Sequence, residues 1–262
     1  MEYSFQPIGV FHCAAKFPYD APRQGSLATD ADGVVELFAG KGFELATSEL
    51  AGFSRLWIIF VFDRNLGVWH PKVQPPRHVN HKVGVFATRS PYRPNPIGLT
   101  CAEVVAVNGR FIHVKAHDLL DGTPVLDLKP YLPYADAFPE AKAGWTDDAT
   151  PLYKIEYGDV ARRQINWLAA HGVDCLEQFI RTRLEAEPLN KCRNRLIFNK
   201  LYNYYQLCYR TWRIAFQVAG EPRSVQVLEI SSGYSAAELV PEAPDPYQDK
   251  ALHREFQERD FS

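Results

Sequence analysis

The sequence contains no apolar run longer than the seven residues of 56–62, which Asp63 ends. A membrane-spanning helix needs roughly 20 such residues, so no segment reads as one. Cysteine is scarce: Cys13, Cys101, Cys175, Cys192 and Cys208 are odd in number and never approach C-x-x-C spacing. That argues against a disulfide framework or a zinc site, and for reduced thiols. Met1-Glu2-Tyr3-Ser4 lacks the basic start and apolar stretch of a secretory signal, so a cytoplasmic protein is expected. Neither sign of charge dominates: 29 Lys and Arg oppose 31 Asp and Glu, a formal net charge of −2. On its face this excludes a strongly basic nucleic-acid binder, although a whole-chain sum can hide opposite local charges.

Common catalytic signatures are missing as well. There is no G-x-x-x-x-G-K-[ST] loop, and Gly40 and Gly42 stand without the third glycine of a dinucleotide fingerprint. No G-x-S-x-G elbow and no H-E-x-x-H occur. His70, His78 and His81 lie eight and three apart among Pro71, Pro75 and Pro76, which matches no recurring metal site. No metal is expected.

What is present is ordinary globular material, 46% hydrophobic and 23% charged over 262 residues. That length suits one large or two modest domains. Short apolar or β-branched runs at 5–11, 34–38, 56–62, 83–88, 99–107 and 111–116 read as strands. Asn108-Gly109, between the last two, predicts a hairpin with a type I′ turn. Many short strands and few helices predict a small β-barrel or closed sheet, not βαβ units. One short helix is expected from Thr47 or Ser48. Residues 135–150, rich in Ala, Asp, Pro and Gly, read as a linker or surface loop.

Two helices follow: 160–171, capped by Asp159 and closed by Gly172, and 175–185, capped by Asp174. Leu176, Phe179, Ile180 and Leu184 share one face of the second and point to a core. Ile214, Phe216 and Val218 then alternate as a strand, 220–223 turns, and Val225, Val227 and Glu229 fall on one face of the next. The predicted fold class is a mainly β N-terminal domain, a small non-Rossmann β-barrel over 1–140, plus a smaller α+β domain over 150–235. An acidic, Pro-bearing tail, 236–262, is expected to be mobile or weakly docked.

Residues 86–98 carry the most information. Pro91, Pro94 and Pro96 fix their own φ and push the preceding residues towards extended geometry. Arg89 and Arg93 are therefore held at less entropic cost than in a flexible loop, and each offers a planar fork for carboxylate or phosphate. Pairing with local acids explains the same arginines equally well. In the second rigid segment, 117–131, Asp118 and Asp121 flank a turn, as polar anchors for a ligand or simply as turn residues.

At these two segments the sequence resembles the TrmO (YaeB-like) family of tRNA methyltransferases. The matching elements are Pro22-Arg23-Gln24, the 56–62 strand, Pro75-Pro76-Arg77, 84–98 with its Arg-Pro-Asn-Pro-Ile-Gly run, and 118–134. The resemblance implies an enzyme dependent on S-adenosyl-L-methionine (SAM), built on a β-barrel and dimeric. Its substrate would be tRNA, methylated on N6 of threonylcarbamoyladenosine at position 37, beside the anticodon. Carried over residue by residue, the SAM contacts would be Pro22, Arg23, Gln24, Asp63, Arg64, Arg89, Leu99, Asp121, Gly122, Thr123 and Pro124. At the Asp63-Arg64 pair relatives can carry a His.

Methyl transfer is an in-line displacement, so alignment of donor and acceptor supplies much of the rate gain. The urea-like N6 is a weak nucleophile, which gives a proton-accepting carboxylate a role. Asp121 is the candidate, with SAM binding as its alternative task. Arg89 and Arg93 would hold the carboxylate of SAM or of the threonyl group. Tyr131 would stack on the extruded base or serve as a core tyrosine.

Residues 191–213 contain six basic side chains, Lys191, Arg193, Arg195, Lys200, Arg210 and Arg213, and no acidic one. Phe198, Tyr202, Tyr204, Tyr205, Tyr209 and Trp212 are interleaved with them. Cations for phosphates beside rings for stacking suit RNA, whereas rings that only pack on the helices would leave the charges solvated. Lys191, Arg193, Arg195, Lys200, Trp212 and Arg213 are the RNA-contact candidates. Family members often carry Asp-Pro-Arg-Pro-x-Tyr where this chain has Glu187-Pro188-Leu189-Asn190-Lys191-Cys192. By region the formal charge is −2 over 1–150, +4 over 151–235 and −4 over 236–262, so the neutral total conceals a basic second domain. Two other classes compete with the methyltransferase: a SAM- and RNA-binding module without turnover, and a SAM-dependent enzyme acting on a small molecule.

Overall fold

The computed structural model describes residues 3–18, 20–21, 25, 31–75, 81–147, 151–190 and 194–261. Six strands of the first unit, residues 1–150, close into a barrel. These are β1 (Gly9–Cys13), β2 (Asp32–Leu37), β3 (Arg55–Val61), β6 (Ile97–Asn108), β7 (Phe111–Lys115) and β8 (Pro124–Pro130). Their order around the barrel is β1-β2-β7-β6-β3-β8, every pairing antiparallel. Two short strands, β4 (Lys72–Val73) and β5 (Val83–Gly84), form a separate ribbon.

Alternation explains the closure. Along β3, Leu56, Ile58 and Phe60 point inwards while their neighbours are partly exposed, and Phe11, Val35, Leu37, Ile112, Val114 and Val125 complete the interior. Each such side chain contributes about 1.5–3 kcal/mol when fully buried. Gly98 is required here, because a Cβ at that position would collide with the Phe60 ring.

The hairpin falls where the sequence predicts it, but its turn is shifted by one residue. Asn108 pairs with Phe111, leaving Gly109 and Arg110 as the loop, and of the two only Gly109 has positive φ (+59°). One positive φ at the first loop position is the pattern of a type II′ turn, not type I′. The 83–88 run is also shorter than expected, since β5 gives way to a 3-10 turn at Val85–Ala87. The short helix lies earlier than Thr47, as α1 (Phe43–Ala46). A one-turn α2 (Pro133–Asp136) follows β8, a strand that the periodicity did not reveal because prolines occupy both its ends.

The second unit, 151–262, is a five-stranded sheet with helices. Its strands are β9 (Lys154–Tyr157), β10 (Leu196–Asn199), β11 (Tyr204–Tyr209), β12 (Trp212–Ala219) and β13 (Ser224–Ser232), in the order β10-β11-β12-β13-β9. Helix α3 (Asp159–Ala170) packs on β13, and α4 (Leu176–Leu184) buries Leu176, Phe179, Ile180 and Leu184 as their spacing requires. The predicted face Val225–Val227–Glu229 breaks at a register shift between Ala215 and Phe216. The extra residue turns Glu229 to solvent and Ile230 into the core.

Residues 236–262 are not a separate tail. They contain α5 (Lys250–Glu258), whose His253 and Phe256 are buried, with Phe261 alongside. The Trp212 ring stacks on His253 at 3.7 Å between centroids, and the Arg163 guanidinium donates to the Phe261 carbonyl. Two aromatic anchors at helical spacing outweigh the segment's acidic composition. No helix among the described residues is long and apolar enough to cross a membrane.

Candidate active site

Strand directions gather the predicted residues. Register fixes the carboxyl ends of β1, β3 and β7 and the amino ends of β2, β6 and β8 at one end of the barrel. The loops at that end are 14–31, 62–96 and 116–123. They carry Asp63, Arg64, Arg89, Arg93, Asp121, Gly122 and Thr123, with Pro124 opening β8 and Leu99 close to the start of β6. Pro22, Arg23 and Gln24 belong to the first of these loops but lie outside the described residues. Tyr131 does not join them. It follows the far end of β8, seven residues of strand away, or about 23 Å at 3.3 Å per residue. Its ring packs against Trp57. Within one chain it therefore cannot share a reacting centre with Asp121.

The 121 turn is tied down from three sides. The Arg64 guanidinium donates to the carbonyls of Lys16 and Asp121, binding the first loop to the third. The Cys13 amide donates to Asp121 Oδ1 at 3.2 Å, and the Gly122 amide donates to the Phe11 carbonyl at 2.8 Å. Asp121 thus presents a fixed carboxylate that remains about one third exposed (36%). Burial pushes the Cys13 thiol up to about 11, so it stays neutral at physiological pH and is not a nucleophile.

Arg89 and Arg93 are separated by what they touch. Arg93 donates to the carbonyls of Val85 and Thr88, at 3.2 and 2.8 Å, and pins its own loop. Arg89 is exposed, and its charge reaches Asp118 and Cys101. Around them Phe86 (77% exposed), Ile97 and Leu99 leave apolar surface in the open. Phe86, Arg93, Pro94, Asn95 and Ile97 line a cavity of about 320 Å³.

Asp118 acquires a weight that its turn chemistry did not suggest. Its carboxyl meets the Thr100 hydroxyl and the Gly25 backbone, yet Oδ1 is buried without a hydrogen-bond partner among the described residues. Burial raises its pKa. A buried carboxyl oxygen with no donor is costly, and a ligand cation or N–H group would satisfy it. Sequence pattern could not find this, because the signal is the missing partner. No cluster of His, Cys, Asp and Glu suited to a metal ion occurs among the described residues.

Known proteins resemble this chain in sequence and fold. Residues 10–137 match the family model described as the tRNA-methyltransferase O N-terminal domain. A Pseudomonas aeruginosa protein, "Putative S-adenosylmethionine-dependent methyltransferase RcsF", is 39% identical over 63% of this chain and 72% of its own length. The chain belongs to the TrmO family. The "tRNA (adenine(37)-N6)-methyltransferase" of Escherichia coli (strain K12) is 42% identical over 56% of this chain and 65% of that protein, just under two thirds of it. The crystal structure of TrmO from Pseudomonas aeruginosa superposes with a TM-score of 0.63 at 29% identity, covering 88% of this chain and 99% of that one. TrmO membership accounts for a closed barrel in place of a Rossmann sheet.

The RNA-contact candidates of the second unit divide sharply. Lys191 and Arg193 lie outside the described residues. Arg195 and Lys200 are exposed, and so are the rings of Phe198 and Tyr202. Trp212 is only 2% exposed and is clamped between His253 and Phe256, so it cannot stack on a base. This corrects its assignment as a substrate contact. Arg213 donates to the Trp212 carbonyl and lies against Gly233, and Tyr209 is a core ring.

Proposed function

We propose that this protein is a SAM-dependent tRNA methyltransferase that methylates N6 of the adenosine at position 37, in its threonylcarbamoylated form. The observation that carries the reading is the convergence of Asp118, Asp121, Arg64 and Arg89 on one barrel end. The residues present fit the cofactor. SAM has an ammonium and a sulfonium for carboxylates, a carboxylate for a guanidinium, and apolar surface for the exposed side chains of Leu99 and Ile97. When bound, it supplies a methyl group made electrophilic by the sulfonium.

The chain's own groups divide the remaining work. Arg89 binds a carboxylate, because Arg93 is committed to its loop. Arg64 shapes the 121–124 turn. Asp118 Oδ1 receives a cationic or N–H group of the ligand. Asp121, fixed by the Cys13 amide, accepts the proton that N6 loses on attack, at an oxygen already accessible from solvent. Methyl transfer then depends mainly on alignment, which a loop braced by three prolines preserves. A homodimer is supported by the outward apolar side chain of Val105 on β6. A cytoplasmic site is supported by the unbridged thiols of Cys13, Cys101 and Cys208.

The test is to incubate the protein with isotopically labelled SAM and tRNA, and to analyse the nucleosides by mass spectrometry. Label on the base of position 37 supports the enzyme. Binding of SAM and tRNA with no label transferred would favour a module without turnover.

A further inference from the structure

Between Arg64 and Ala102 there are 39 consecutive residues without Asp or Glu. They contain six basic side chains, Arg64, Lys72, Arg77, Lys82, Arg89 and Arg93. The rest of residues 1–150 carries eight basic against sixteen acidic groups. The barrel unit is therefore as divided as the whole chain: a formal +6 in one loop system and −8 elsewhere. A stretch that excludes acids for this length, within an acidic unit, has the electrostatic footprint of a polyanion contact.

The structure gives that footprint a shape. The β4–β5 ribbon stands beside the arginine–proline loop, and between them lies a cleft of about 560 Å³. Its walls include His70, Lys72, Gln74, Lys82, Ser90 and Tyr92, with no carboxylate among the described lining residues. The walls are fixed by backbone bonds. The His70 amide donates to the Tyr92 carbonyl at 3.2 Å, the Val85 amide donates to the Pro71 carbonyl at 3.1 Å, and the His70 and Tyr92 rings lie 5.2 Å apart. Lys72 and Lys82 are exposed, and the Trp69 ring nearby in sequence is 52% exposed. Ser90 and Tyr92 alternate along the chain with Arg89, Pro91 and Arg93, so the cleft adjoins the candidate active site.

We infer that this cleft is a docking site for the RNA phosphate backbone on the catalytic unit itself, with Lys72 and Lys82 contacting phosphates. The inference rests on the tRNA reading above and locates where part of that substrate is held. Two lysines and hydroxyl donors from Ser90 and Tyr92 suit phosphate oxygens, and rings at the rim offer stacking surface to unpaired bases. Neither lysine belongs to the set assigned to SAM or to the transfer step. Their loss should therefore weaken substrate capture and leave cofactor binding intact.

The experiment measures the affinity of the full chain for tRNA across a salt series, together with SAM binding and methyl transfer. It compares wild type, Lys72→Glu/Lys82→Glu, and the charge-preserving Lys72→Arg/Lys82→Arg. The expected result is a loss of tRNA affinity of about tenfold or more in the glutamate variant. Its slope of log K against log salt should be shallower by about 1.5, two phosphate contacts at roughly 0.7–0.9 each. The arginine variant should behave as wild type, SAM affinity should be unchanged, and KM for tRNA should rise more than kcat falls. An unchanged tRNA affinity and salt slope, in a protein whose wild type methylates tRNA, would overturn the cleft and leave the enzymatic reading standing. A wild type that neither binds nor methylates tRNA would overturn both. A cleft serving acidic protein partners instead of RNA would show itself as an unchanged tRNA slope with lost binding to polyglutamate.

Discussion

Two segments of this molecule look alike as sequence and differ as structure. Residues 64–102 and 191–213 are both basic, free of acids and studded with aromatics. In the second segment Tyr209 and Trp212 are core rings, and only Phe198 and Tyr202 stand clearly exposed. In the first, Trp69, Phe86 and Tyr92 are all at least 38% exposed, and Lys72 and Lys82 line a cleft beside the arginine–proline loop. In both segments the absence of acid leaves exposed cations, Lys72, Lys82 and Arg89 in the first and Arg195 and Lys200 in the second. Aromatic content is no comparable guide, because a ring's destination depends on which face of the sheet it occupies. The barrel loops hold the candidate site, whereas the second unit offers an edge.

The comparison can be broken at several levels. The largest effect should come from the barrel end. Arg89→Ala and Asp121→Asn should each lower methyl transfer by about 100-fold or more, with secondary structure and melting unchanged. Near-normal turnover of both would remove the site assignment. Next, Trp212→Ala should destabilise the second unit by about 3–5 kcal/mol, since it empties a fully packed ring site. Urea denaturation would measure this, and an intact unit with selectively lost tRNA affinity would restore Trp212 as a substrate contact.

His253 is fully buried between Trp212 and Tyr234, with Nδ1 2.8 Å from Ser232, Nε2 2.9 Å from Thr211, Asp249 3.7 Å away and the Arg213 charge close by. Burial depresses its pKa to about 4, against about 6.5 in the unfolded chain. The folded form thus binds fewer protons below pH 6.5. The stabilisation is complete above that pH and declines as pH falls from 6.5 towards 4. Denaturation midpoints at pH 7 and pH 5 should differ more for wild type than for His253→Gln. The smallest effect belongs to the second unit's edge. Arg195→Glu with Lys200→Glu should reduce tRNA affinity only a few-fold, less than the change at Lys72 and Lys82.

Much of the fold was legible because alternation and turn pairs are local. Five of the six barrel strands, the two helices of the second unit and the 108–111 hairpin follow from them. What escaped was non-local. A β-bulge reversed Glu229, prolines masked β8, and the burial of His253 and Phe256 attached a segment whose composition reads as a tail. At the site, the loops that converge could be named from residue identity and resemblance. The roles within them could not. Arg93 is occupied by carbonyls, Tyr131 stands at the opposite barrel end, and Asp118 matters through a carboxyl oxygen that has no partner among the described residues.

The central claim is that this barrel end transfers a methyl group to the adenine N6 of a modified tRNA. It is tested most directly by nucleoside mass spectrometry after reaction with labelled SAM, on matched tRNA with and without threonylcarbamoylation at position 37. The account predicts one labelled methyl on N6 of the modified nucleoside and little or none on the unmodified tRNA. Equal labelling of both would contradict the threonylcarbamoyl requirement. No labelling of either, by a protein that binds SAM, would contradict the enzyme.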